Sequence, residues 1–387
     1  MSEACPAKQP NSQRMRGDEM PTAGMLDALS IEQAMELQFK LVDCIHRNFP
    51  NGLFLQQGDL GLVQGGSPLH TTLAEQTLAQ FFGAQDCVLV RGAGTGAIRE
   101  ALGAVAQPGG SVLVHAAPIY PSTEITLRDM ALRVVNANYN DLEETRSVVT
   151  LQKPSVAVVQ HARQLLTDSY SLRDVIATLK GCGCQVVVDD NYAVLKTPLC
   201  GIAAGADLAA FSLFKLQGPE GIGCVLGKRE LLQRIRRRNC TGGSQVQGME
   251  AMEALRSLVN VPVAMAVQAM QTEQARVDIQ KLADKKIWGI RRVFVANMQS
   301  RVLLVEFEQP IAYRVLSQAE KLGASPRPVG AESKYEIPAL FYTVSRTFAV
   351  ENPERLNYYI RINVMRAGAD TVVRILKEAL KSIMQED

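Results

Sequence analysis

A lysine lies where a buried strand is expected to end. The segment FSLFKLQGPEGIG, residues 211–223, carries Ser212 and Lys215 from an apolar run into a glycine-containing turn. Burial disfavours the charged form of an amine, so a lysine at the edge of an apolar sheet tends to become a nucleophile. The alternative is a surface turn with a solvated lysine. The segment alone leaves both interpretations open.

An acidic pair follows another apolar run upstream of this lysine. The segment QVVVDDNYAV places Asp189 and Asp190 at the end of the run, with Tyr192 close behind. A carboxylate at the carboxyl end of a strand can hold a protonated heterocyclic nitrogen, and Tyr192 can reach a phenolic oxygen on the same ring. The alternative is an acid pair that caps the next turn.

A glycine-rich turn stands earlier, in VLVRGAGTGAIREAL. Gly94, Thr95 and Gly96 lie where a strand passes into a helix, so backbone N–H groups can approach an anion there. A dinucleotide site is the main competitor. A dinucleotide site requires an acidic residue at the end of the next strand to bind the ribose. The next apolar run ends in His115, so this alternative is less favoured.

Two further residues have chemistry that fits a small-molecule site. Tyr120, in the loop VLVHAAPIYPST, could stack its ring on a planar ligand. Arg361, in the apolar run IRIN, could bind a carboxylate through two parallel hydrogen bonds. Ordinary packing for Tyr120 and an interdomain salt bridge for Arg361 are the alternatives.

The elements that must position these residues alternate between helical patterns and apolar runs. The runs are CVLVR at 87, SVLVH at 111, RVVNA at 133, SVAVVQ at 155, QVVVD at 185, DLAAFS at 207 and GIGCVLG at 221. Helices are predicted over 71–83, 95–106, 141–151 and 171–181. Continuous apolar runs indicate strands covered on both faces, so we expect a doubly wound, mostly parallel seven-stranded α/β sheet.

The pattern changes after this region. A helical stretch from about 247 to 283 leads to QSRVLLVEFE, YYIRIN and a terminal helix, which predicts a smaller C-terminal α/β domain. We therefore expect a large ligand-binding domain over 70–260 and a small domain over 261–387. Residues 26–69 are predicted to form an arm and helix on the side of the small domain, and residues 1–25 a disordered extension.

Composition limits the kind of partner. A net charge of +2, with 47% hydrophobic and 21% charged residues, is ordinary for a globular protein and predicts no nucleic-acid partner. No run approaches the roughly 20 apolar residues that cross a bilayer, so no membrane association is expected. Eight scattered cysteines without paired CxxC spacing predict reduced thiols, no metal site and a cytoplasmic protein.

Taken in order, these residues resemble a known family. A phosphate turn, a stacking aromatic residue, Asp-x-x-Tyr, Ser-x-x-Lys and a late arginine are similar to the fold-type I pyridoxal-phosphate enzymes, the aspartate aminotransferase superfamily. GAGTGAIREAL resembles the phosphate turn of class I aminotransferases, and AFSLFKLQGPEGIG the lysine segment of class V enzymes. Over about residues 30 to 385, the chain looks most like the bacterial YhfS-like group.

The resemblance implies a cofactor, pyridoxal 5'-phosphate, and roles for the residues that match. Lys215 would form the Schiff base and move protons, Asp189 would contact the pyridine nitrogen, and Tyr120 would stack on the ring. Tyr192 would reach the ring's phenolic oxygen and Arg361 would hold the substrate α-carboxylate. The phosphate would be bound by Gly94, Thr95, Gly96 and Ser212.

The resemblance also implies a homodimer with shared active sites. The stretch CTGGSQVQG, with Gly243 and Ser244, resembles the glycine-rich segment that completes the phosphate site of the neighbouring subunit.

Two positions depart from the family pattern. Phe214 precedes the lysine, where relatives often carry His, Ser or Thr. The usual Asn-containing stretch after the fourth strand is replaced by VVQHARQ, which leaves Gln160, His161 and Arg163 as candidates to face the ring or the substrate.

We therefore predict an enzyme that acts on an amino acid or related amine, with an aminotransferase as the first choice. A carbon–sulfur or ammonia lyase is the alternative, because Tyr120 followed by Thr123 resembles the stacking segment of cystathionine-type lyases. Phe214 supports a second alternative, a non-catalytic binding protein. A cysteine desulfurase needs a thiol from the later part of the chain. Because no cysteine follows Cys240 in this sequence, we do not expect a desulfurase.

Overall fold

The computed structural model describes residues 25–61, 66–165, 167–296, 301–330, 332–344 and 353–386. Apart from Met25, the N-terminal extension predicted over 1–25 lies outside these residues.

The larger of two sheets has seven strands, as predicted. Its order is β1-β7-β6-β5-β4-β2-β3, and the pairs from β6 through β3 are parallel, whereas β7 runs antiparallel to both β1 and β6. The strands are β1 Asp86–Arg91, β2 Ser111–His115, β3 Arg133–Ala137, β4 Val156–Gln160, β5 Gln185–Asp189, β6 Leu208–Ser212 and β7 Ile222–Gly227. The predicted doubly wound α/β sheet is thus confirmed.

Helices cover both faces of this sheet, because its strands are apolar on both sides. They are α1 Ile31–Asn48, α2 Leu69–Phe82, α3 Ala93–Val105, α4 Pro121–Asp129, α5 Leu142–Gln152, α6 Leu172–Gly181, α7 Arg229–Arg238 and α8 Gly248–Leu258. The four helices predicted here lie within about two residues of α2, α3, α5 and α6.

Helix α1 belongs to the core of the large sheet. Its N-terminus carries a capping box between Ser30 and Gln33. Its buried residues Leu41 and Cys44 share one apolar cluster with residues of β1, β6 and β7. The segment 26–69, expected on the side of the small domain, therefore also buries part of its surface against the large sheet.

The second sheet has four antiparallel strands in the order β10-β11-β9-β8. They are β8 Ile290–Ala296, β9 Val302–Phe307, β10 Leu340–Thr343 and β11 Tyr359–Asn363, accompanied by α9 Val261–Asp284, α10 Ala312–Lys321, α11 Arg355–Tyr358 and α12 Ala369–Glu386. One apolar cluster joins α9, α10 and α12 to this sheet. The stretch predicted as one helix from 247 to 283 is two, α8 and α9.

The first turn of α3 shows why this segment needs glycine. Gly92 has a φ of 94°, in the left-handed region that glycine adopts at little cost. A Cβ at Gly96 would lie 2.0 Å from the carbonyl oxygen of Arg91. The helix therefore starts tightly against the end of β1. In the part of the chain that the structure describes, no helix is long and apolar enough to cross a membrane.

Candidate active site

A cavity of about 220 Å³ lies at the carboxyl ends of β4, β5 and β6. Its wall comes from the start of α3, the start of α4, the segments after β5 and β6, and a loop of the small domain. Ligands of open parallel sheets bind at this edge, where loops from several strands converge. The lining residues include Gly94, Thr95, Tyr120, Gln160, Asp189, Tyr192, Ser212 and Lys215, all of which we had singled out from the sequence.

Lys215 projects into this cavity between aromatic rings. Its Nζ lies 3.7 Å from the ring centroid of Tyr192 and 5.7 Å from that of Tyr120. Burial lowers the pKa of Lys215 to about 8, although the Asp189 carboxylate acts in the opposite direction. Near neutral pH a fraction of this amine is therefore uncharged and nucleophilic.

Asp189 ends β5 on the floor of the site. One of its carboxylate oxygens accepts hydrogen bonds from the backbone N–H of Asn191, at 3.0 Å, and from its side-chain amide, at 2.7 Å. Burial raises the pKa of Asp189, while these hydrogen bonds and the Lys215 ammonium oppose that rise. A positively charged ligand nitrogen beside this carboxylate would oppose it further.

Asn191 is a site residue that sequence reasoning missed. Besides holding Asp189, its Oδ1 accepts the backbone N–H of Ser212 at 2.9 Å. The same Oδ1 lies so close to Gly94 that a Cβ there would stand 2.1 Å from it. Asn191 therefore ties the ends of β5 and β6 to the first turn of α3. Its place in DDNY, directly after the acidic pair, was the available signal.

Small polar residues gather at the helix end of the cavity. Gly94, Thr95, Ser122 and Ser212 line it together. The hydroxyl of Thr95 donates to that of Ser122 at 3.1 Å, so Ser122 joins the predicted set. Gly96, the residue after Thr95, is buried in the same first turn of α3, where its role is the close contact with Arg91. Hydroxyls and a helix N-terminus suit a phosphate group.

The two tyrosines of the site differ in exposure. Tyr120 is 37% exposed at the mouth, whereas Tyr192 is half-buried. Burial, and after it the neighbouring Tyr120, raise the pKa of Tyr192 well above its ordinary value. The Tyr192 hydroxyl therefore stays protonated near neutral pH.

Of the three candidates in VVQHARQ, Gln160 lines the cavity. His161 is buried, with its Nδ1 2.6 Å from a carboxylate oxygen of Asp190. Arg163 is also buried, where it donates to the carbonyl of Tyr170 and stacks 4.5 Å over that ring. Among the described residues that form the cavity wall, neither His161 nor Arg163 appears.

Phe214 lies in the cavity wall and packs against the small domain. A Cβ at Gly330 would stand 2.2 Å from the Phe214 ring, and the ring of Tyr335 meets it edge-on at 6.3 Å. Val329 and Gly330 line the cavity beside it. This loop contact, missed from the sequence, places an aromatic ring where relatives often have a polar residue.

Arg361 occupies the middle of β11, opposite Tyr342 of β10. Among the described residues that form the cavity wall, Arg361 does not appear. Gly243 and Ser244 lie instead in a turn after α7, where the Ser244 hydroxyl contacts Thr241. Within one chain this turn lies outside the cavity wall that the described residues form.

Comparison with known protein families agrees with this geometry. Residues 69–258 match the aminotransferase class-V family, and residues 277–376 match the C-terminal domain of YhfS-like proteins. The match of residues 69–258 to the class-V family agrees with the resemblance of the segment around Lys215 to that class.

Individual relatives extend the comparison to nearly the whole chain. YhfS of Escherichia coli strain K12 is 49% identical over 359 residues, which cover 92% of this chain and 99% of that protein. The crystal structure of E. coli YhfS, described as pyridoxal-5'-phosphate dependent, superposes with a TM-score of 0.91 over 94% of this chain and 100% of that one. The cysteine desulfurase of Dickeya dadantii strain 3937 is 33% identical over 168 residues, 39% of each chain.

A more distant structure shows the fold alone. Cystathionine gamma synthase from Xanthomonas oryzae pv. oryzae superposes with a TM-score of 0.67 at 18% identity, over 89% of this chain and 97% of that one. Fold and comparisons together define a fold-type I pyridoxal-phosphate-dependent protein. Within that class, the chain belongs to the YhfS-like family.

The residues around the cavity fit pyridoxal 5'-phosphate, the cofactor of this family. A half-buried amine with a lowered pKa, a half-buried carboxylate and a set of hydroxyls at a helix N-terminus surround one cavity. Gly94 keeps the helix end open, since any side chain there would collide with Asn191. The site thus has a candidate partner for each end of the cofactor.

Proposed function

We propose that the protein is an aminotransferase that acts on an amino acid through a Schiff base between Lys215 and pyridoxal phosphate. The observation that carries this proposal is the buried Lys215 amine, 3.7 Å from the Tyr192 ring and under the influence of Asp189. When bound, pyridoxal phosphate supplies an aldehyde that condenses with amines and a ring that accepts electron density from carbon.

Asp189 and Asn191 act on the ring end of the site. Asp189 holds a proton on the pyridine nitrogen, because its carboxylate is buried and oriented by two hydrogen bonds from Asn191. Thr95, Ser122 and Ser212 orient the phosphate at the start of α3. Tyr120 and Tyr192 enclose the space between these two ends.

Lys215 is the proton carrier. With cofactor and substrate bound, the Lys215 amine would be free to take up and return a proton, a role that its pKa of about 8 suits near neutral pH. We assign binding of the substrate α-carboxylate to Arg361, on β11 of the small domain.

The charged groups of the wall favour transamination. Among the described residues that line the cavity, those with a charge are Asp189 and Lys215. Transamination needs one base that moves a proton between two carbon atoms, and Lys215 suffices. A carbon–sulfur or ammonia lyase is the second candidate, because Tyr120 and Tyr192 both line the cavity, where a phenol could deliver a proton to a leaving group.

A turnover experiment without an acceptor separates the candidates. Holoenzyme is mixed with single amino acids in excess, and 2-oxo acid, ammonia and thiol are quantified. An aminotransferase forms one equivalent of 2-oxo acid per site, stops, and resumes when pyruvate is added. Continuous release of ammonia or thiol would instead identify a lyase, and no product from any amino acid would favour a non-catalytic binding protein.

We also propose that the protein is a cytoplasmic homodimer with shared active sites. Leu55, Leu60 and Met249 are 85%, 64% and 47% exposed, an unusual set of apolar side chains on a surface. They lie beside the glycine-rich turn, because the backbone N–H of Gly61 donates a hydrogen bond to the side-chain Oε1 of Gln247 at 2.7 Å. An interface over this region would bring Gly243 and Ser244 to the partner's phosphate site.

A further inference from the structure

Two neighbouring residues of β10 hold the side chain of Arg361 in place. Its Cζ lies 4.1 Å from the ring centroid of Tyr342, the residue opposite it in the antiparallel pair. Its Nε donates to the carbonyl oxygen of Thr343 at 2.8 Å. The stacking sets the plane of the guanidinium, and the hydrogen bond sets its rotation within that plane.

This arrangement leaves one edge of the guanidinium for a ligand. In the part of the chain that the structure describes, the bond to Thr343 is the hydrogen bond that Arg361 makes, so Nη1 and Nη2 are available. Two parallel N–H groups are the pattern that binds a carboxylate through both oxygens. A guanidinium already fixed in orientation loses less rotamer entropy when it binds one.

The position of Tyr342 favours a role beyond packing. Its ring is buried beside Leu340 and Met365, so it cannot swing away from Arg361. Arg361 stands opposite Tyr342 in the antiparallel pair of β10 and β11, so a change in the Tyr342 ring changes what supports the guanidinium. Tyr342 is thus in contact with the group that is proposed to bind substrate.

We propose that Tyr342 is a positioning residue, which holds Arg361 ready to bind the substrate carboxylate through two hydrogen bonds. This inference rests on the proposed function. The aromatic face carries the effect, so Tyr342→Phe should keep it. Tyr342→Leu removes the ring and frees the guanidinium to rotate.

Two aminooxy probes isolate carboxylate binding from the chemistry of the cofactor. Aminooxyacetate and methoxyamine capture the aldehyde of pyridoxal phosphate with the same nucleophile, but only aminooxyacetate has a carboxylate. The rate constant for the spectral change of the holoenzyme is measured with each probe. The ratio of the aminooxyacetate rate constant to the methoxyamine rate constant reports on carboxylate recognition. This ratio does not depend on which amino acid is the substrate.

We expect Tyr342→Leu to lower the ratio by about tenfold, which lies between the values for an exposed and a desolvated cation–π contact, and Tyr342→Phe to leave it near wild type. Arg361→Leu should lower the ratio further. Adding Tyr342→Leu to Arg361→Leu should have no additional effect, because Tyr342 acts through the arginine.

Other results would overturn the inference. An unchanged ratio in Tyr342→Leu, or equal losses with both probes, would leave Tyr342 a packing residue while the proposed function stands. Additive losses in the double variant would also contradict it. If Tyr342→Leu does not fold, Tyr342→Met gives the same comparison with a larger side chain. A wild-type spectrum that neither probe changes would contradict the proposed function itself.

Discussion

At the scale of single residues, the proposed reaction with the cofactor depends on the charges of Lys215 and Asp189. The two groups are coupled, since the Asp189 carboxylate partly offsets the effect of burial on the pKa of Lys215. The neutral amine is the form that reacts with an aldehyde. Its population therefore sets how fast the apoprotein takes up its cofactor.

This coupling predicts a signed effect of pH. In the apoprotein, the rate of reaction with pyridoxal phosphate should rise with pH through an inflection near pH 8, where Lys215 loses its proton. Asp189→Asn removes the neighbouring negative charge, so the inflection should move down by about one unit. Asp189→Glu keeps the charge and serves as the control. Stopped-flow absorbance measures the profile, and an upward shift in Asp189→Asn would contradict the assignment.

Residue motifs were also what the sequence predicted best. Lys215, Asp189, Thr95 and Ser212 each stand in a local pattern at a strand end or helix start, and the structure brings them around one cavity. His161 could not be judged this way. Its partner Asp190 becomes adjacent only because β4 and β5 pair with Gln160 opposite Asp189, a register that no local pattern specifies.

At the scale of elements, the start of α3 and the end of β5 fit together through Gly94 and Asn191. A Cβ at Gly94 would meet the Oδ1 of Asn191 at 2.1 Å. That atom is the end of a flexible side chain, so the fold can accept an alanine if Asn191 moves. Its hydrogen bonds to Asp189 and Ser212 would then be lost.

We therefore expect Gly94→Ala to fold normally and to bind pyridoxal phosphate at least about tenfold more weakly, since two hydrogen bonds of about 1 kcal/mol each are affected. Spectrophotometric titration of the apoprotein gives the affinity, and thermal unfolding monitors the fold. Gly181→Ala is the matched control, because a Cβ there meets no atom within 4 Å. Equal affinities in the two variants would refute the proposed link.

The loop of the small domain that reaches the cavity is organised by one buried carboxylate. Glu336 accepts hydrogen bonds from the backbone N–H groups of Val329, Gly330 and Ser333, and from the Ser333 hydroxyl. Val329 and Gly330 are the residues that this loop contributes to the wall. No local pattern reveals the arrangement, because the loop meets Phe214 from more than a hundred positions away.

Glu336→Gln should loosen this loop, because an amide has one acceptor oxygen for four donors. The lost hydrogen bonds should lower the free energy of opening the loop by about 2 kcal/mol. Trypsin should then cleave after Lys334 faster than in the wild type, as local opening becomes more frequent. The exposed Glu320, changed to Gln, is the control from the same domain. Timed digestion with mass spectrometry measures the rates, and identical cleavage in all three proteins would rule out the organising role.

At the scale of the whole molecule, the large sheet and its helices followed from the alternation of apolar runs and helical patterns. The small domain was predicted in outline, yet β8 and β10 were missed. Tyr342, on β10, meets Arg361 only through antiparallel pairing with β11, so its role could not be read from either segment. Contacts between segments that are distant in the chain, such as this one, cannot be predicted from local sequence.

Shared active sites predict complementation between two defective variants. Lys215→Ala removes the amine, and Ser244→Asp places a repelling charge where the partner's phosphate is expected. When the two variants exchange subunits, each mixed dimer should regain one intact site, because Lys215 and Ser244 come from different chains. Titration with pyridoxal phosphate after mixing would show tight sites absent from either parent. No recovery, with mixed dimers confirmed by mass, would contradict shared sites.

We propose that Lys215 carries the cofactor. Lys196 is a second lysine near the same aromatic ring, so it tests whether the attachment is specific to Lys215. The Nζ of Lys196 lies 5.6 Å from the same Tyr192 ring and is paired with Glu332. The most direct measurement is borohydride reduction of the holoprotein, followed by peptide mass spectrometry to locate the attached pyridoxyl group. We expect the group on Lys215, its loss in Lys215→Ala and its retention in Lys196→Met. Attachment to Lys196, or to no lysine, would show that Lys215 does not carry the cofactor.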